Sequence, residues 1–187
     1  MAPTSIKLKL QERSWRKDQF LISTDPALFP IHTLIDIFDR KEVYWAKPLP
    51  AQDMREMLEN SLSFGLYDQH GHQRATDPTP ASKLIGVARC VTDYVTFAYV
   101  TDVWVDPTYQ GKGLGSWLVK CVQEVLEEMP HLRRSMLFTG DWERSVPFYE
   151  KLMGVTLLET KRNEGLAIME RKGKGHPSYG SQGTGYN

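Results

Sequence analysis

Three glycines at alternate positions, Gly111, Gly113 and Gly115, follow directly on Val103-Trp104-Val105-Asp106-Pro107 and run into an apolar stripe that begins at Leu114. Alternate glycines let successive backbone N–H groups turn into one concavity, a nest for anionic oxygens. A helix that starts at such a loop adds its own unpaired N–H groups and the positive end of its dipole. Lys112 adds a positive charge, so the expected ligand is a phosphate or pyrophosphate. Gln110, Gly111, Lys112, Gly113, Leu114, Gly115 and Ser116 are the candidate binding stretch. A P-loop needs G-x-x-x-x-G-K-[ST], a spacing absent here. A dinucleotide fingerprint needs G-x-G-x-x-G, and the third glycine falls one place early, at Gly115.

Two carboxylates stand out as candidate bases. Asp102 lies inside an otherwise apolar strand, where an Asp needs a partner, a water or a substrate amine. Strand alternation puts Asp102 and Trp104 on one face and Val103 and Val105 on the other. Its structural alternative is an ion pair with Arg89 on the neighbouring strand. Asp93 sits at a tight connection, Thr92-Asp93-Tyr94, and its alternative is plain turn chemistry. His70 and His72 have no carboxylate or thiol at ligand spacing, so no metal site is expected. Cys90 and Cys121 sit in apolar runs and read as reduced core residues of a cytosolic protein.

The elements that must position these groups follow from periodicity. Gln19–Ser23, Ser63–Tyr67, Lys83–Val91, Phe97–Val105 and Arg134–Phe138 read as strands. Residues 30–40 and 50–60 carry apolar residues at helical spacing. Leu114, Trp117, Leu118, Cys121, Val122, Val125, Leu126 and Met129 form a longer helical stripe, stopped by Pro130. A short helix is expected at Val146–Met153, with Pro147 in its first turn. Two closing strands are expected at Gly154–Glu159 and Gly165–Arg171. The stretch 68–82 reads as a loop insertion. Residues 172–187 are a Gly-rich tail that cannot bury enough apolar surface to stay folded alone.

The chain has 187 residues, with 23 Lys and Arg against 23 Asp and Glu. That length suits one domain, taken here as residues 1–171, which buries roughly 70% of its unfolded surface without a staple. Zero net charge gives no general pull toward nucleic acid or membrane. No stretch approaches the roughly 20 apolar residues of a membrane span, and the N-terminus lacks the apolar core of a signal peptide. The expectation is a cytoplasmic protein, monomer or homodimer.

The block Val105–Leu118 resembles motif A of the GNAT superfamily, the acetyl-CoA-dependent N-acetyltransferases, whose pattern is V-x-P-x-x-[RQ]-G-x-G. Gln110 occupies the Arg or Gln place. Leu84-Ile85-Gly86-Val87-Ala88-Arg89 is similar to the family's central strand, and Phe148-Tyr149-Glu150-Lys151-Leu152 to its late F-Y-x-K-L motif. The resemblance covers about residues 85–169. It implies an α/β fold: a mixed, mostly antiparallel sheet with splayed central strands and helices on both faces. It also implies acetyl-CoA as co-substrate, gripped at its pyrophosphate by the loop, and a small-molecule or peptide amine as acceptor. Val103, Trp104 and Val105 would present backbone groups to the pantetheine and the thioester carbonyl. Tyr149 matches the tyrosine that points its hydroxyl at the coenzyme sulfur, as general acid. Tyr44 and Trp45 fall where the family lines the acceptor side. Two departures are visible. Trp142 stands where the family often has Asn, and Leu152-Met153-Gly154 is one residue longer than the usual turn.

Overall fold

A computed structural model of the chain describes residues 5–69 and 82–159, together with 168, 169, 171, 173–176 and 179. Five helices are described: α1 (Ile6–Gln11), α2 (Ile31–Phe38), α3 (Ala51–Glu59), α4 (Leu114–Glu127) and α5 (Ser145–Met153). Six strands are described: β1 (Ser14–Lys17), β2 (Phe20–Ser23), β3 (Leu62–Asp68), β4 (Lys83–Thr92), β5 (Phe97–Val105) and β6 (Arg134–Leu137). They form one sheet in the order β1-β2-β3-β4-β5-β6. Neighbours pair antiparallel up to β5, and β5–β6 is parallel. A parallel neighbour needs a crossover, and α4 supplies it.

The sheet carries a core on each face. On one, Phe64, Ile85, Ala98 and Val100 pack against Leu118, Val122 and Val125 of α4. On the other, Val87 and Trp104 pack against Leu34 and Ile37 of α2 and Met54 and Leu58 of α3. Seven side chains of α4 are buried, each contributing about 1.5–3 kcal/mol relative to exposure. That burial anchors the helix whose first turn meets the glycine loop.

Two features open the sheet beside β5. Pairing with β6 runs from Phe97↔Arg134 to Val100↔Leu137 and stops, while β5 continues to Val105. Over residues 101–105 that edge of β5 therefore has no strand partner among the described residues. On the other edge the β4–β5 register shifts between Val87↔Trp104 and Arg89↔Thr101. One extra residue on β5 makes this a bulge. Asp102 sits in it with φ +53°, a left-handed value that Asp and Asn tolerate better than most residues. The bulge resets the alternation. Ala98 and Val100 face the α4 core, and so do Val103 and Val105, while Asp102 and Trp104 are buried on or beside the other face.

The expected closing strand at Gly154–Glu159 is not a strand. Gly154 caps α5 at φ +63°, and the residues after it run mostly exposed without a ladder partner among the described residues. Most of Gly165–Arg171, residues 70–81 with His70 and His72, and most of the tail lie outside the described residues. Both α1 and β1 are additions to the expected elements.

Candidate functional site

The loop after β5 is built by its residue types. Asp106 accepts hydrogen bonds from the Thr108 N–H (3.0 Å) and hydroxyl (2.7 Å), closing a short turn over Pro107–Tyr109. Burial pushes the Asp106 carboxyl up, but those hydrogen bonds with Lys83 and Arg40 outweigh it and hold it below the usual range. Gly111 (φ +80°) and Gly113 (φ +69°) then take left-handed conformations that a side chain would resist. Gly113 caps α4, and the first helical bond runs from the Trp117 N–H to the Gly113 carbonyl, 3.0 Å. The amides of Leu114, Gly115 and Ser116 precede that bond and find no acceptor within the helix. Gly115 lies inside the helix, where an added Cβ would meet only the Val105 methyl at 3.9 Å. Gln110 and Lys112 are exposed on the loop. The Lys112 ammonium sits 4.9 Å from the Tyr109 ring centre and 5.9 Å from that of Phe20.

Beside the unpaired edge of β5 lies a cleft of about 450 Å³. Thr101, Asp102 and Val103 form one wall, Phe138, Thr139 and Tyr149 another, and Tyr44, Trp45 and Met57 a third. Tyr149 projects from α5 with its ring edge-on to Phe148. Burial pushes its phenol up to about 12, so it holds its proton through neutral pH. Asp102 both lines the cleft and pairs with Arg89: the guanidinium Nε donates to Oδ2 at 2.7 Å. The Trp45 indole N–H donates to Oδ1 at 3.2 Å. Sequence reasoning missed this contact, although Tyr44-Trp45 had marked that wall. Trp104 turns its ring to the opposite core, under the Arg40 guanidinium at 5.0 Å. Its backbone pairs with Val87 of β4.

The structure does not bring Asp93 to the cleft. It lies in the β4–β5 turn, where its carboxylate accepts from the Val95, Thr96 and Phe97 N–H groups and the Thr96 hydroxyl. The Thr96 hydroxyl first, then those amides, hold it well below the ordinary carboxylate range. Nine residues separate it from Asp102, well over about 15 Å along an extended strand. Trp142, the departure from the family pattern, is 64% exposed.

Among the described residues no group of three or more His, Cys, Asp or Glu is arranged to hold a metal ion. No described helix is long and apolar enough to cross a membrane. The left-handed glycines, the free amides at the start of α4 and the open edge of β5 fit a nucleotide thioester: an anion at one end and an amide-bearing arm along the strand.

Comparison with known proteins bears on the family and the fold. The profile of the Acetyltransferase (GNAT) family matches residues 32–155. The Gibberella zeae protein FG08082, a candidate acetyltransferase, is 38% identical over 135 residues, 69% of this chain and 76% of that one. The chloroplastic GCN5-related N-acetyltransferase 2 of Arabidopsis thaliana is 52% identical over 71 residues, 37% of this chain and 26% of that protein. A solved GNAT-family structure from Xanthomonas campestris pv. campestris is 26% identical, with a TM-score of 0.64 over 86% of this chain and 97% of that one. The chain belongs to the GNAT family of acetyltransferases.

Proposed function

We propose that the protein transfers an acetyl group from acetyl-CoA to a primary amine, carried by a small molecule or a peptide, within a ternary complex. The observation that carries this reading is that one strand, β5, joins three features along its course past the cleft. These are the open amides of the glycine loop, the unpaired edge of β5 and the protonated Tyr149. When bound, acetyl-CoA supplies a thioester whose acetyl carbon an amine can attack.

The chain's residues divide the remaining work. The amides from Gly111 to Ser116 hold the pyrophosphate, with the dipole of α4 behind them. A backbone N–H on the open edge at Val103–Val105, fixed by the sheet before any ligand arrives, donates to the thioester carbonyl as it gains negative charge. Asp102 attracts the acceptor ammonium and takes its proton directly or through one water. Tyr149 faces the departing sulfur. A free thiol has a pKa of about 8.5, so complete proton transfer from a phenol near 12 is uphill. Tyr149 therefore acts by donating a hydrogen bond while charge develops on sulfur, and solvent restores the proton. We assign Asp93 to the turn.

The test is release of free thiol from acetyl-CoA across a panel of amines and peptides. Amine-dependent release supports the transfer. Tight coenzyme A binding with no release for any amine would instead make the protein a binding module.

A further inference from the structure

The cleft has a wall that the proposed chemistry does not use. Gly175 and His176, from the C-terminal segment, line the same cavity as Asp102, Val103 and Tyr149. The segment makes a turn there: the His176 N–H donates to the Gly173 carbonyl at 2.9 Å, and the Tyr179 N–H to the His176 carbonyl at 3.0 Å. Between the glycines of that turn stands Lys174, exposed. A Cβ added at Gly173 or Gly175 would meet nothing within 4 Å. Neither glycine is crowded by a neighbour, and the lysine carries its amine on a flexible four-carbon stem. The chain thus carries a primary amine one residue away from Gly175 and His176, which line the cavity.

We propose that Lys174 is itself an acceptor, so that the protein acetylates its own C-terminal segment in cis. This rests on the reading of the cleft as an acetyl-transfer site. The Lys174 nitrogen, having lost a proton, attacks the thioester carbonyl of acetyl-CoA. The N–C bond forms and the C–S bond breaks. Of the two protons the ammonium gives up, one ends on the coenzyme sulfur and the other passes to solvent, leaving an N-acetyl-lysine and a free thiol. Tethering favours the event, because an attached group meets the site as an intramolecular partner with its own effective concentration. An amine borne by the chain beside the site also arrives without the entropy loss of a second free molecule. An unattached amine must compete with this resident one for the same cavity.

The experiment uses the full-length protein with acetyl-CoA and no added amine. Peptide mass spectrometry follows acetylation with time over a wide range of protein concentration. Thiol release with the amine panel is measured in parallel. Lys120, exposed on α4, reports direct chemical acetylation by the reagent. Lys174 should be acetylated at least about a hundred-fold faster than Lys120, the low end of acid–base assistance. Its rate constant should not depend on protein concentration. Tyr149→Phe should slow Lys174 and leave Lys120 unchanged. If Lys174 is labelled no faster than Lys120 while added amines release thiol, self-acetylation is wrong and the transfer reading stands. A Lys174 rate that rises with protein concentration overturns the cis event in favour of transfer between copies. Absence of both thiol release and fast labelling overturns the two proposals together.

Discussion

The two ends of β5 use the same residue types to opposite effect. At its start, Asp93 gathers three backbone amides and the Thr96 hydroxyl onto one carboxylate. Every donor within reach is spent, and the turn is finished. At its end, Asp106 gathers the Thr108 amide and hydroxyl in the same way. There the chain goes on through two left-handed glycines into α4, and the amides that follow are left without acceptors among the described residues. An aspartate in a loop therefore says little about chemistry. What matters is whether the loop's donors are satisfied by the loop itself or reserved for something else.

The sharpest way to break this contrast is to close the open end with a charge. Gly115→Asp should fold, since the position has an ordinary φ and room for a Cβ. An acid in the first turn even favours the helix by about 0.3–1 kcal/mol. Against a pyrophosphate about 4 Å away the same carboxylate costs about 4 kcal/mol at an effective dielectric of about 20, about a thousand-fold in Kd. Calorimetry with coenzyme A reads this directly, and unchanged affinity would remove the loop from the site. Next in size, Tyr149→Phe should lower kcat by about a hundred-fold with coenzyme affinity preserved. Because burial raises the phenol to about 12, the wild-type rate should not turn down near pH 10, where an ordinary tyrosine ionises. A downturn there would mean that Tyr149 is not the group that serves the sulfur.

Between the two ends sits Asp102, and its replacement separates two roles. Asn keeps the left-handed bulge but leaves Arg89 without its ion pair. The expected loss is about 2 kcal/mol, less than the 3–5 of a wholly buried pair because Arg89 keeps some water. If Asp102 also takes the acceptor proton, the acidic limb of kcat/KM against pH should flatten. Lower stability with an unaltered limb would confine it to the ion pair. The smallest effect belongs to the closed end. Asp93→Asn should leave kcat/KM unchanged and lower Tm modestly at neutral pH. A carboxyl whose folded pKa is depressed contributes stability above its unfolded value and loses it as pH falls through the folded one. The Tm difference should therefore narrow in strong acid. A fall in activity would return Asp93 to the site.

Much of the glycine-loop half was legible because its signals are local. Gly111, Gly113 and Gly115 and the stripe from Leu114 to Met129 sit in one stretch of sequence, and backbone geometry follows from residue type there. Asp102 was legible as an anomaly and not as a bulge, since a carboxylate in an apolar strand flags a problem without saying how the backbone solves it. The Trp45–Asp102 contact joins residues 57 apart in sequence, a distance no periodicity spans. At the N-terminus, Ile6, Leu8 and Leu10 alternate with lysines as a strand would, yet they form α1, which buries only Leu10. Gly154–Glu159 shows the converse: β-prone residues, but nothing described beside them to pair with.

The unpaired stretch of β5 also poses a solubility problem. An exposed strand edge in the middle of a sheet is a template on which another chain can add a strand. Here only the five residues from Thr101 to Val105 continue past the last pair with β6, and the bulge twists the strand at their start. A brief, kinked edge resists a neighbouring protein's backbone while still admitting a slender ligand, so one distortion keeps the site open and the molecule from aggregating through it.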